Sequence, residues 1–125
     1  MMESTCSIDK YGNQIWHLPD SRLLQHRIDG PAYIRTDGYQ EWYVNGELHR
    51  TDGPAILKQD GSQEWWVHGI QHRSDGPAVA WADGEQEWWV DNVEITDQVT
   101  AWMAENNIAW PFDTATQLEF TLRFV

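Results

Sequence analysis

Short apolar and aromatic runs alternate with polar turns across residues 26–95, and the alternation is written three times with a period of 23 residues. Each copy opens on the polar string His-Arg-x-Asp-Gly-Pro-Ala, at 26–32, 49–55 and 72–78. An apolar pair follows, then a second turn at Asp37-Gly38, Asp60-Gly61 or Asp83-Gly84, then Gln-Glu-Trp-(Tyr/Trp)-Val at 40–44, 63–67 and 86–90. Runs this short, rich in β-branched and aromatic residues and bounded by dipeptides that accept positive φ, predict a β-hairpin in every copy. Strict repetition at this period predicts a stacked array.

Period-two alternation then assigns faces. Ala32, Ile34, Trp42 and Val44 point one way with their counterparts Ala55, Leu57, Trp65, Val67 and Ala78, Ala80, Trp88, Val90, and this set is the expected core. A small Ala facing a large Trp lets layers interdigitate, so the Trp42, Trp65, Trp88 column is expected to bury most area. Trp65→Ala should then cost far more than Trp66→Ala. Glu41, Tyr43, Glu64, Trp66, Glu87 and Trp89 fall on the opposite, exposed face.

The ends differ from the middle. Gly12 to Leu18 lines up with Gly38 to Val44 as a worn N-terminal copy that caps the array, with strands at Ser7–Asp9 and Gln14–Leu18 and a frayed start at Met1–Thr5. In the third copy Asp91-Asn92 lacks the turn glycine and Ile95 replaces His-Arg, so the array is expected to stop there. Thr96 suits a helix N-cap, Val99, Trp102 and Met103 form an apolar stripe, and Asn106-Asn107 can end the helix in a left-handed cap. Leu118, Phe120, Leu122 and Phe124 alternate with polar residues, which predicts a half-buried strand. The expected fold is mainly β: an elongated antiparallel meander of 23-residue hairpin repeats, capped by a C-terminal α-helix and strand. It forms a single domain, with a degenerate repeat at 7–25, repeats at 26–48, 49–71 and 72–95, and a cap at 96–125.

Charge narrows the function. Lys and Arg number 8 against 20 Asp and Glu, a formal net charge of −12. That balance disfavours direct nucleic-acid binding, which needs clustered cations. Residues 72–94 set Arg73 against six acids for −5, and 95–125 set Arg123 against four for −3, so eight of the twelve net charges lie in the last 54 residues. Cys6 is the only cysteine, and neither a secretory apolar region nor a membrane-length run is found, so a soluble, cytoplasmic chain is expected.

The repeat wording HR-x-DGPA, DG and EWW-x-x-G over about residues 10–95 resembles the MORN repeat, in the variant form of bacteria, phages and large viruses. The tail WPF…LEFTLRF is similar to phage proteins carrying such arrays. The resemblance implies an elongated β-meander used for protein or lipid contacts, with no catalytic residues to carry over. An acidic chain without a cationic face departs from the lipid-binding form, so no membrane contact is expected.

Three constellations invite chemistry. His26, His49 and His72 lie two strands apart, about 9.5 Å at ~4.8 Å per strand, too far for one metal ion. The Arg27, Arg50, Arg73 column beside Asp29, Asp52 and Asp75 can clamp a ligand, but a structural ladder fastening one return loop to the next is favoured. His72, Ser74 and Asp75 adjoin, yet a catalytic site is singular whereas this string recurs. No catalytic residue, metal or cofactor is therefore assigned, and the chain is not expected to be an enzyme. Tyr43, Trp66 and Trp89 with Glu41, Glu64 and Glu87 suit a cationic protein surface or sugar rings, or simply stabilise the sheet by cross-strand pairing. The leading expectation is a non-catalytic protein-binding module whose partner is a basic host protein surface, met through Glu85, Glu87, Asp91, Glu94, Tyr43, Trp66 and Trp89. On the phage resemblance it becomes an acidic inhibitor of a host nucleic-acid-handling or defence protein, mimicking nucleic acid in the host cytoplasm. The alternative is a carbohydrate-binding or structural virion protein that uses the aromatic face. The sequence names neither the partner nor the oligomeric state.

Overall fold

The computed structural model describes residues 4–125 and is mainly β, with two C-terminal helices. Met1 to Glu3, part of the stretch expected to fray, lie outside the described residues, whereas Thr5 already opens a strand. In chain order the first copy contributes β1 (Thr5–Ile8), β2 (Gln14–Leu18) and β3 (Ser21–Gln25). The next contributes β4 (Tyr33–Ile34), β5 (Gln40–Glu41), β6 (Tyr43–Val44) and β7 (Glu47–Leu48). The following copies repeat this as β8 (Ile56–Leu57), β9 (Gln63–Glu64), β10 (Trp66–Val67), β11 (Ile70–Gln71), then β12 (Val79–Ala80), β13 (Gln86–Glu87), β14 (Trp89–Val90) and β15 (Val93–Glu94). Strands β1, β2, β4, β5, β8, β9, β12 and β13 pair in that order in one antiparallel sheet, with β3 added on β2. β6–β7, β10–β11 and β14–β15 form separate two-stranded ribbons.

Each copy therefore holds two hairpins, where the alternation had predicted one. The strand expected over Gln40–Val44 breaks at Trp42, whose N–H donates to the Ala55 carbonyl of the next copy at 2.7 Å while its own carbonyl accepts from His49 N–H at 3.1 Å. Trp65 makes the matching bonds to Ala78 and His72. One tryptophan peptide thus bonds into the sheet on one side and closes the ribbon on the other, turning the chain through a corner. Trp16 does the same with Ala32 and His26, so the N-terminal copy is a genuine repeat.

The glycines of the two turn classes answer different needs. In the ribbons, Asn45-Gly46 and His68-Gly69 both have positive φ at each residue, as a tight two-residue hairpin turn requires. Asp91-Asn92 adopts the same conformation, φ 50° and 67°, because Asn tolerates the left-handed region. The turn closes without its glycine, so β14–β15 still forms, and helix follows directly from Thr96. Gly30, Gly53 and Gly76, by contrast, are required by close approach. A Cβ on Gly30 or Gly53 would stand 2.9 or 2.8 Å from the Cζ of Arg27 or Arg50.

The core is not the expected tryptophan column. Ala32, Ala55 and Ala78 are fully buried, but Trp42 and Trp65 are only half-buried, and Trp88 alone of the column is 1% exposed. The register also puts Ile56 and Val79 opposite Glu41, Glu64 and Glu87, and both apolar residues are buried, so the second face of the sheet is not an open solvent face. Tyr43, Trp66 and Trp89, which lie in the ribbons and not in this sheet, are half-buried rather than exposed.

Beyond the array, α1 (Thr96–Glu105) starts one residue earlier than expected, capped at Ile95. Thr96 serves the sheet instead: its hydroxyl accepts Trp88 N–H at 3.0 Å, taking the place that the Ala carbonyl of a following copy has elsewhere. Asn107 does end the helix in the left-handed conformation, with Ile108 N–H donating back to the Met103 carbonyl at 2.9 Å. The predicted terminal strand is instead α2 (Thr114–Phe124). Asp113 caps it by accepting Thr116 N–H at 2.8 Å, and the buried stripe runs through Phe120 and the half-buried Thr116, Gln117 and Phe124 at helical spacing. Leu118 and Leu122, two of the four alternating apolar residues, face solvent at 60% and 78% exposure. Trp88, Val99, Trp102 and Phe120 form the cap's core, with Trp110 and Phe112 packed against it.

Candidate functional site

The repeated polar string builds a ladder along one side of the array. Each arginine lies flat on the corner tryptophan of the copy before it: Arg27 on Trp16 at 3.9 Å, Arg50 on Trp42 at 4.1 Å, Arg73 on Trp65 at 3.9 Å. Its Nε donates to the Asp two residues on (Asp29, Asp52 or Asp75) at 2.8–2.9 Å, and its Nη1 to the carbonyl of the following Pro at 3.0–3.2 Å. These side-chain bonds lock the loop to itself, not to the next loop as the sequence suggested. What joins copies is the backbone at the corners, where Trp16, Trp42 and Trp65 N–H donate to the carbonyls of Ala32, Ala55 and Ala78, while Arg27, Arg50 and Arg73 N–H tie each loop to its own ribbon through the carbonyls of Tyr43, Trp66 and Trp89. The guanidinium hydrogen bond, and then its charge, hold the Asp29 and Asp52 carboxyls below the usual carboxylate range.

The histidines are structural acceptors. Nδ1 of His26, His49 and His72 receives the N–H of Asn45, His68 and Asp91, the first left-handed residue of the next ribbon turn, at 2.9–3.0 Å. Each ring must be neutral at Nδ1 to do so. Burial, and then the neighbouring His68 ring, lowers the His49 pKa against the pull of Glu47. Among the described residues, no group of three or more His, Cys, Asp or Glu side chains is placed to share a metal ion.

The glutamate column is likewise engaged. Glu64 accepts the Trp66 indole N–H at 3.1 Å and pairs with Lys58 at 3.2 Å, while Glu87 accepts the indoles of Trp89 and Trp81 at 3.0 and 2.8 Å. Glu41 accepts the Tyr39 hydroxyl at 2.8 Å, and burial together with the Glu41 charge pushes the Tyr43 phenol up to about 12. Of the sequence-derived set, Glu87 is therefore a half-buried part of the sheet, and Tyr43, Trp66 and Trp89 are half-buried parts of the ribbons. Glu85, Asp91 and Glu94 are exposed. Of these, Glu94 accepts the Thr96 hydroxyl at 2.8 Å and pairs across the ribbon with Trp89, and Asp91 reaches His72 Nδ1 only at 3.5 Å.

Sequence reasoning missed two clefts between successive loops. One, of about 670 Å³, is lined by Arg27, Gly30, Pro31, Trp42, Val44 and Arg50; the other, of about 570 Å³, by Arg50, Gly53, Trp65, Val67, His72 and Arg73. The recurring string named these residues, but only the corner at tryptophan brings loop and ring together. Comparison of the chain with family models, curated proteins and solved structures gave no match.

Proposed function

We propose that this chain is a non-catalytic protein-binding repeat module, of the MORN-variant kind its motifs resemble, which docks on a cationic protein surface through its acidic C-terminal half. One observation carries the reading: the cations of the repeats are turned inward while the carboxylates at the C-terminal end are not. Arg27, Arg35, Arg50, Lys58 and Arg73 each lie over an aromatic ring and each pair with a carboxylate. Glu85, Asp91, Glu94, Asp97, Glu105 and Glu119 are exposed, and among the described residues no Lys or Arg pairs with them. A field of that sign steers basic partners and repels nucleic acid and anionic lipid. A cytoplasmic inhibitor of a host nucleic-acid-handling or defence protein, encoded by a phage, is the specific role this supports. The carbohydrate or virion alternative draws less support, because Tyr43, Trp66 and Trp89 are half-buried and two of them spend their indole N–H groups on Glu64 and Glu87.

The test is the triple variant Glu85→Gln, Asp91→Asn, Glu94→Gln. Asn is used at 91 because the residue has φ 50°, and Gln at 94 keeps an acceptor for Thr96. Stability should stay within a fraction of a kcal/mol per site. Association with the captured partner should slow and lose most of its salt dependence, since removing complementary charge lowers the on-rate. A control variant at Asp20 and Glu47, both exposed, should associate like the parent. Asp9 would be a poor control, because it holds the N–H groups of Tyr11 and Asn13. If the triple variant associates as the parent does across a salt titration, the acidic surface serves solubility only.

A further inference from the structure

The third copy of the inter-loop cleft is filled by the chain itself. The Trp110 ring centroid lies 5.4 Å from the Arg73 guanidinium carbon, and the ring meets Trp88 edge-on at 5.6 Å and 88°. Its Cη2 comes within 2.5 Å of where a Cβ on Gly76 would stand, so it rests directly on that glycine. Arg73 thereby meets two indoles, Trp65 at 3.9 Å and Trp110 at 5.4 Å, where Arg27 and Arg50 each meet one.

Subtracting one period of 23 residues from Arg73, Gly76 and Trp88 gives Arg50, Gly53 and Trp65; subtracting two gives Arg27, Gly30 and Trp42. These are lining residues of the two open clefts. At Gly30 and Gly53 the near atoms belong only to the arginine of the same loop. Gly76 and Pro77 are buried under the Trp110 segment, whereas Gly30, Pro31, Gly53 and Pro54 stay half-buried. The role of the arginine that a fourth copy would lay on Trp88 is taken by a different residue, Phe112, stacked at 5.5 Å and 19°. Trp110 is thus an addition to the repeat pattern and not a substitute for part of it.

We propose that the two open clefts are binding sites for aromatic side chains, Trp above all, presented by an extended segment of a partner protein. The cleft offers such a ring a guanidinium face for cation–π stacking, an indole edge, and a glycine shelf on which no Cβ intervenes. The arginine is already neutralised by its own Asp, so attraction rests on stacking and apolar burial and should depend little on salt. This surface is separate from the acidic one, and either can fail without the other.

The probe is a heptapeptide copied from residues 108–114, titrated into the ¹⁵N-labelled full chain while the glycine amide and tryptophan indole resonances are followed by NMR. The Gly30 and Gly53 amides should shift, and that of Gly76, buried against Trp110, should not. The same peptide with alanine in place of its Trp should bind about tenfold more weakly. Raising salt from about 50 to about 500 mM should change affinity less than roughly twofold. In a Trp110→Ala chain Gly76 should join the shifting set; if that variant does not fold, the titration of the parent chain still decides. Unmoved Gly30 and Gly53, a Gly76 shift equal to theirs in the parent, or equal binding of the alanine peptide would overturn the proposal. Concentration-dependent dimerisation abolished by Trp110→Ala would also overturn it, by assigning the clefts to a second copy of this chain.

Discussion

Replacing Trp88 by Ala should be more damaging than replacing its repeat counterpart Trp65. Trp88 is 1% exposed and touches Trp110, Phe112 and Phe120, with ring centroids 5.2–5.6 Å away. A tryptophan side chain removes up to about 250 Å² from water, roughly 6 kcal/mol at about 25 cal/mol per Å², and a compact unfolded state lowers this to about 4–5. Cavity formation among packed aromatic rings keeps the loss in the range of about 3–5 kcal/mol seen for such truncations. Trp65 keeps part of its ring exposed and is covered by a guanidinium rather than by packed rings, so truncating it forfeits less apolar area, encloses no cavity and loses a cation–π contact of about 1 kcal/mol, for a total of about 3 kcal/mol. Trp66, also half-buried, should cost about as much as Trp65, which replaces the two-face expectation drawn from alternation. The assay is urea unfolding of the three variants, with amide hydrogen exchange in α2 read alongside. In Trp88→Ala the α2 amides should lose most protection while those of β4, β5 and β8 keep theirs. A Trp88→Ala loss no larger than that of Trp65→Ala, or undiminished protection of α2, would refute the assignment of Trp88 as the seam between array and cap.

Other outcomes follow from the same geometry. Deleting 49–71 joins Leu48 to His72 and lets Trp42 N–H meet the Ala78 carbonyl in place of Ala55, so the shortened chain should fold by circular dichroism with lower stability, while deleting 49–65 misplaces the corner and should leave it unfolded or insoluble. Gly53→Ala should destabilise by about 1–3 kcal/mol through its clash with Arg50, and a double-mutant cycle with Arg50→Ala should recover most of that loss; additive effects would show that the glycine is kept for another reason. Because the folded-state pKa of His49 lies below its ordinary value of 6.5, the unfolded chain binds the extra proton first, so this group's stabilisation is present above that value and is lost as pH falls through the folded pKa. His49→Gln should therefore flatten the fall in urea midpoint between about pH 7.5 and 5.5; an unchanged slope would exclude His49 as the titrating acceptor.

The repeats, their turns and the N-terminal copy were legible in the sequence because each depends on contacts within a copy or between identical neighbours. Gly46, Gly69 and the Asp-Gly pairs announce their turns wherever the chain goes, and the 23-residue period fixes which residues stack. The acidic excess was legible too, as composition. Three matters were settled only by tertiary structure. The strand 40–44 reads as continuous, yet the Trp42 peptide has bonding partners on two sides, the sheet and its own ribbon, and no local pattern encodes that corner. Residues 118–124 alternate like a strand, but Asp113 caps a helix and Phe120 and Phe124 find Trp88 and Trp102 to pack on, so burying one helical stripe prevailed over an alternation that leaves Leu118 and Leu122 exposed. Finally, Trp42, Trp65 and Trp88 share one sequence context, Gln-Glu-Trp-(Tyr/Trp)-Val. Which of them becomes core depends on whether an arginine or the C-terminal cap covers the ring, and that is a property of position in the array rather than of the residue.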